Sequence, residues 1–443
     1  MGGYYLPARY VQWHGLSAGV IPGAAEHEDG ITLLDWTSSR RNALRDLSEL
    51  RFPTSTPFPP LLDDLLDIVS TVYLGDIATP RYPHSEGVRA LQFDIPVRVP
   101  GFWVANRDEL IHLLYVLTHD NNELCFHPHQ CPEVAAAATA VASVDADCVC
   151  LLSGGLASFA GGASLLSSGR KPMFVSHRPG HSAVELAQRN VLSALTPLAH
   201  GQLRSAAVRL LPHRGSNSLP FPYPEAGEQR HLTSPLLHMG LGATAAYATG
   251  VLDVYLFGAG TLADDIAHCG THMLAIRLFN KLLERMGLTC RITNPLAYQT
   301  KGEAIRRYLK PFVPADRILD SYSCQDASAP QSCGVCTSCL SRRVALLSSG
   351  LPDDTWAADL LATPEQHRGS DGFGNLVGML MRTSDFLGCN DWDLLYAYPK
   401  LLDLDAAEES AENLTRALRR HAAEVQYVLG DHFPTAAALL GPR

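Results

Sequence analysis

Short apolar runs alternate with helix-length segments across the middle of the chain. Cys148-Val-Cys-Leu-Leu152, Met173-Phe-Val-Ser176, Ala206-Ala-Val-Arg-Leu-Leu211 and Val254-Tyr-Leu-Phe257 read as strands, with helical stretches near 181–195, 233–249 and 263–286 between them. That alternation predicts βαβ units and a mostly parallel, doubly wound α/β sheet covered on both faces. Ligands on such sheets gather at the carboxyl ends of the strands. Upstream, Leu91-Gln-Phe-Asp-Ile-Pro-Val-Arg-Val99 alternates with the period of a strand, and Asp108 to Leu117 is amphipathic, so this part reads as α+β. The last part is helical, and Asp403 to Leu429 carries Leu414, Leu418, Ala422 and Val425 at the spacing of one packing face. The pattern divides the chain into an added α+β region over 1–140, an α/β core over 141–350 and a helical extension over 351–443.

Composition narrows the class. A chain of 443 residues suggests two or three domains, and 46% hydrophobic against 18% charged residues excludes a disordered chain. The net charge of −10 argues against nucleic acid as a partner, since a coat on phosphates needs the opposite sign. No apolar run spans a bilayer: Asp145 and Asp147 interrupt one, His238 and Asp253 another. The start MGGYYLPARY shows no basic-then-apolar leader, and Leu6 stands where a myristoylation signal wants Ser or Thr. These features lead us to expect a cytoplasmic protein without a membrane partner. Eleven cysteines, an odd number, then read as thiols and metal ligands.

The first predicted strand runs into Ser153-Gly154-Gly155-Leu156-Ala157-Ser158 and then a small-residue helix start. Two glycines at a strand-to-helix turn let backbone N–H groups face an anion, and the helix N-terminus adds partial positive charge. This is a candidate pyrophosphate cradle, with the spacing neither of a P-loop nor of a dinucleotide fingerprint.

Cys324, Cys333, Cys336 and Cys339 form C-x8-C-x2-C-x2-C, a density far above the chain average. Four thiolates at short spacing suit Zn²⁺ with all positions filled, which makes the site structural. An iron–sulfur cluster is the competing occupant.

The hexapeptide is similar to the SGGxDS signature of PP-loop ATP pyrophosphatases. Loop and cysteines together resemble the 7-cyano-7-deazaguanine synthases (QueC-like). Weaker similarities lie at Gln229-Arg230, Val254 to Gly260, Asn294-Pro295-Leu296 and Lys301-Gly-Glu-Ala-Ile305, so that the resemblance covers roughly 145–350. It implies a PP-loop (HUP-like) fold and an AMP-forming C–N ligase, with ATP and Mg²⁺ as cofactors beside the structural Zn²⁺. It implies nucleotide contacts from Leu152, Ser153, Gly154, Gly155, Leu156, Ser158, Ser176 and Gly258, with Lys301 and Arg230 stabilising charge. Its substrate is 7-carboxy-7-deazaguanine, whose carboxylate is adenylated and passed to an amine. This chain departs from the signature at Ala157, which stands at the position of the family's Asp. The methyl group is expected to permit nucleotide binding and weaken adenylation. It is either a natural degeneracy or a deliberate substitution, and the second is our expectation because the rest of the site is intact.

Enlarged synthase-like proteins resembling this one occur in bacterial anti-phage operons (Qat and cyclic-oligonucleotide types). There the resemblance implies transfer of the activated deazaguanine to an amine of a partner protein, such as its N-terminus. The alternatives are a housekeeping synthase using ammonia, a nucleotide-binding module without turnover, and a tRNA-modifying enzyme, which the acidic balance disfavours. Two further groups carry metal chemistry by spacing: Cys125, His127, His129 and Cys131, on one face if extended, and His268 with His272, one helical turn apart. Buried thiols and ordinary core or surface imidazoles are the competing readings.

Overall fold

A computed structural model describes the protein at residues 9–13, 31–36, 41–51, 58–79, 88–129, 145–216, 218, 221, 231–258, 273–326, 331–353, 356–398 and 411–439. The amino-terminal part contributes β1 (Arg9–Trp13), β2 (Ile31–Leu34), β3 (Ala43–Asp46), helix α1 (Pro60–Ala78), β4 (Ala90–Val97), α2 (Arg107–Thr118) and β5 (Asn121–Pro128). The core follows as β6 (Cys148–Leu151), α3 (Leu156–Ser167), β7 (Pro172–Arg178), α4 (Ser182–Leu195), β8 (Arg204–Pro212) and α5 (Ser234–Thr249). It continues through β9 (Asp253–Leu256), α6 (Met273–Arg285) and β10 (Arg291–Thr293). The main helices beyond it are α7 (Thr337–Ser348), α8 (Asp371–Gly388), α9 (Asp391–Ala397) and α10 (Ala411–His432).

The central sheet has six strands in the order β10-β9-β6-β7-β8-β3, parallel except where β3 pairs antiparallel with β8. Strand β6 shows why its sequence is apolar throughout. Cys148 and Cys150 enter one apolar cluster with Phe159 and Phe174, while Val149 and Leu151 enter a second on the opposite face. A parallel strand covered on both sides has no solvent face to mark with polar residues.

The second cluster is continuous with the amino-terminal part, since Leu62, Val69, Phe93 and Leu114 share it with Leu151, Val175 and Ile292. That part forms its own four-stranded parallel sheet, β2-β1-β4-β5, and lends β3 to the central one. A buried polar knot adds to the join. Arg89 bridges Asp76 at 2.5 Å and Asp120 at 2.6 Å, and the far oxygen of Asp76 accepts the Thr233 N–H and hydroxyl at 3.0 and 2.9 Å. Each charge in the knot is paired and hydrogen-bonded, the condition under which burial of charge is tolerated.

The fold is therefore a mostly parallel α/β sheet with a helical carboxyl-terminal part, as the pattern predicts. The predicted strands match β6 to β9 within two residues at each end, and the other two strands of the central sheet, β3 and the three-residue β10, had no apolar run to announce them. The amphipathic stretch Asp403–Leu429 corresponds to α10, with 403–410 outside the described residues; Leu414, Leu418, Ala422, Val425 and Leu429 are buried along it. No described helix is long and apolar enough to cross a membrane.

Candidate nucleotide site and cysteine knuckle

Strand β6 ends where the Leu152 N–H donates to the Val175 carbonyl at 2.8 Å, and the chain then turns into α3. Gly154 has φ +88°, and a Cβ there would stand 3.1 Å from the Gln188 nitrogen, so both the conformation and the space select glycine. Gly155 is the N-cap of α3 and offers no side-chain acceptor to the first turn. The donors of Leu156, Ala157 and Ser158 precede the first i−4 bond of the helix, which begins with the Phe159 N–H on the Gly155 carbonyl at 3.0 Å. Hydroxyls brace the turn: Ser158 donates to the Gly155 carbonyl at 3.1 Å and lies 3.1 Å from the Ser153 hydroxyl. The arrangement is an anion cradle at a strand's carboxyl end. Ala157, half-buried in the first turn of α3, packs toward the apolar cluster, and no residue from Ser153 to Ser158 brings a carboxylate.

The neighbouring strand ends carry the other expected positions. Ser176 is buried on β7, one residue past the partner of Leu151. Gly258 follows β9, where Asn294 accepts its N–H at 3.2 Å and donates to its carbonyl at 3.0 Å, copying a strand's hydrogen bonds with a side chain. Lys301 begins a one-turn helix, Lys301–Ala304, that packs on α3, and its amine donates to the Ser341 hydroxyl at 2.6 Å. Arg230, His268, His272 and Cys131 lie outside the described residues.

The four cysteines converge. Their sulfurs all lie within 4.8 Å of one another, and Cys333 and Cys339 are 3.8 Å apart. Sulfurs at ~2.3 Å from one tetrahedral centre are separated by about 3.8 Å, so the donor set fits Zn²⁺ with no open position. Backbone N–H groups of Cys333, Cys336 and Cys339 each point at the preceding thiol at 3.4 Å, which favours thiolate sulfur. Hydrogen bonds from Cys324, then from Cys336 and Cys339, hold the Cys333 thiol well below its ordinary value. Gly334, at φ +79°, makes the knuckle; a Cβ there would lie 2.0 Å from the Ala358 carbonyl. Beneath it Arg343 binds Asp353 and Asp359 at 2.5 Å each, tying α7 to the chain that follows. Among the described residues Cys125, His127 and His129 do not form a converging donor group, and His127 sits 3.3 Å from Asp94; the fourth expected member, Cys131, lies outside the described residues.

A residue the sequence did not flag joins the two motifs. The Tyr322 N–H donates to the Gly154 carbonyl at 3.0 Å, and the Ser323 hydroxyl lies 3.6 Å from where a Gly155 Cβ would be. Cys324 follows immediately. Buried Arg342, three residues after Cys339, holds the Leu319 carbonyl at 2.9 Å and the Ser321 hydroxyl at 2.8 Å from the other side. The knuckle therefore fixes the segment that lies over the phosphate loop.

A buried imidazole, His177, also lies at this end of the sheet, with half-buried His238 beside it. His177, at the end of β7, donates from Nε2 to the Leu210 carbonyl at 2.8 Å and meets Tyr73 edge-on at 5.0 Å, with His238 at 6.1 Å. Burial, and next the charge of His238, push His177 down to about 3 from the ordinary 6.5. The fold favours neutral His177, so its contribution is complete above pH ~6.5 and is lost as the pH falls from there toward about 3, by about 1.4 kcal/mol per unit. Melting temperatures should therefore fall steeply below pH ~6. His177→Gln, which keeps a donor for Leu210, should flatten that slope; an unchanged slope would assign the acid sensitivity elsewhere.

The geometry defines a class first: a doubly wound α/β core with an anion cradle at the end of an interior strand, braced by a closed four-cysteine knuckle. A 7-cyano-7-deazaguanine synthase of Gloeothece citriformis (strain PCC 7424) is 29% identical to this chain over 225 residues, 46% of this chain and 93% of that protein. Cradle, knuckle and that similarity together support a 7-cyano-7-deazaguanine synthase-like family. No family model matches the chain, and no solved structure matches it.

Proposed function

We propose that the protein is an ATP-dependent enzyme of the 7-cyano-7-deazaguanine synthase type that activates a 7-carboxy-7-deazaguanine-like carboxylate. The observation that carries this reading is the bond from Tyr322 to Gly154, which ties the cysteine knuckle to an uncapped helix N-terminus in one site. A carboxylate is a poor electrophile, and adenylation supplies a leaving group. The substrate oxygen attacks the α-phosphorus of ATP and pyrophosphate departs; an amine then attacks the acyl carbon, AMP leaves, and the nitrogen loses a proton. The first-turn N–H groups of α3 receive the pyrophosphate, with Ser153 and Ser158 at its edge. Lys301 and Arg230 stabilise phosphate or oxyanion charge. Mg²⁺ is bound through carboxylates, and at the position where the resemblance puts one this chain has Ala157. Cys324, Cys333, Cys336 and Cys339 would hold zinc with every position filled, so that it would brace the knuckle and leave the chemistry to other groups.

The acceptor in this reading is an amine of an operon partner protein, such as its N-terminus, in anti-phage defence. Residues 1–140 and 351–443 are the mass available to recognise that partner. Ala157→Asp enzyme with ATP, 7-carboxy-7-deazaguanine and the partner should raise the partner's intact mass by one deazaguanine acyl group. Turnover with ammonia and an unmodified partner would select the housekeeping synthase instead. Ala157 itself favours one second reading, a nucleotide-binding module without turnover, and restoring the acid separates the two.

A further inference from the structure

The helix that carries Lys301 cannot hold its own place. Lys301–Ala304 is a single turn, too short to be stable alone, and runs into the wider turns of Ile305–Leu309. Thr300 caps it with a capping box to Glu303, which defines its start but not its position. One side of it is held by the core, where Ala304 and Ile305 are buried in the cluster beside α3 and the Ser349 hydroxyl donates to the Gly302 carbonyl at 3.2 Å; the other side is held from beyond the α/β core, by two residues one turn apart on α10. Glu424 accepts from the Thr300 hydroxyl and from Arg306, both at 2.8 Å, and its oxygen stands 2.5 Å from where a Cβ on Gly302 would be. Arg420 donates to Glu303 at 2.7 Å and to the Tyr298 carbonyl at 2.6 Å. The neighbouring Arg419 points elsewhere, to Asp391 at 2.6 Å and the Cys389 carbonyl at 3.1 Å, and ties α10 only to α9 and the turn before it.

We propose that α10 is a working part of the nucleotide site, with Arg420 and Glu424 as positioning residues that set where Lys301 presents its amine. The inference rests on the nucleotide reading above and extends it: the added carboxyl-terminal part serves activation as well as partner choice. A latch of this kind acts through geometry, and displacing the amine far enough to lose one hydrogen bond to a charged ligand costs about tenfold or more in affinity.

Arg419 supplies the internal control, because losing it loosens α10 without touching the Lys301 helix. Three quantities are measured for Arg420→Ala, Glu424→Ala, Glu424→Gln and Arg419→Ala: the melting temperature, ATP affinity by calorimetry, and the rate of Lys301 acetylation by peptide mass mapping. Arg420→Ala and Glu424→Ala should weaken ATP binding about tenfold and speed Lys301 labelling several-fold. Glu424→Gln, which still accepts from Thr300, should recover part of both, and Arg419→Ala should change neither whatever it does to melting. Equal effects from Arg419→Ala and Arg420→Ala, or no effect of Arg420→Ala and Glu424→Ala, would overturn the proposal. A parent chain that binds no ATP would overturn the nucleotide reading and this proposal with it. Lys301 labelling tells that outcome apart from a failure of the latch alone.

Discussion

Ala157→Asp should raise AMP formation from ATP and 7-carboxy-7-deazaguanine by on the order of a hundredfold, the scale on which one electrostatic group at a reacting centre acts. Residue 157 lies in the first turn of α3, beside the uncapped N–H groups that form the cradle. A carboxylate there sits at the favourable end of the helix dipole, so the substitution adds charge without opposing the helix. It would also supply a hard oxygen ligand for magnesium, which a methyl group cannot provide. The cradle itself is backbone, so ATP affinity should change far less than turnover. AMP release by labelled ATP, with and without the base, checks this. An Ala157→Asp enzyme that releases no more AMP than the parent, while binding both ligands, would mean the chain is a binding module.

With zinc in the knuckle, Cys336→Ser should release it and lower the melting temperature by about 3–7 °C, from a loss on the order of 3 kcal/mol. Four converging sulfurs leave no spare ligand, and the knuckle backbone is shaped around them by Gly334 and the N–H to sulfur bonds. Once the knuckle loosens, Tyr322 is no longer held against Gly154, and ATP binding should weaken together with stability. Cys125→Ser, a half-buried thiol outside the cluster, is the comparison and should keep zinc, melting and ATP affinity. Full zinc content in Cys336→Ser, or unchanged ATP binding after zinc loss, would separate the knuckle from the loop.

The sequence made the central features readable because each carries a local signature. Strand β6 is buried on both faces and so is a continuous apolar run; the loop and the cysteines announce themselves by spacing. What escaped depends on partners far along the chain. Strand β10 is too short for a period, and β3 exists only because β8 offers it an edge. Arg420 and Glu424 read as solvated charges on an amphipathic helix, and nothing nearby shows that they meet Glu303 and Thr300. Tyr322 gave no signal beyond lying two residues before Cys324. The resemblance implies that Lys301 stabilises charge on the phosphates or the developing oxyanion; the structure places its helix against α3 and its amine on Ser341, so serving an anion requires that amine to exchange one oxygen partner for another.

Native mass measurement of the chain with ATP and 7-carboxy-7-deazaguanine reads metal, nucleotide and base in one species. The expected species carries one zinc, one ATP and one deazaguanine per chain, with zinc gone and ATP occupancy reduced in Cys336→Ser. A folded, zinc-loaded chain that takes up neither nucleotide nor base would contradict it.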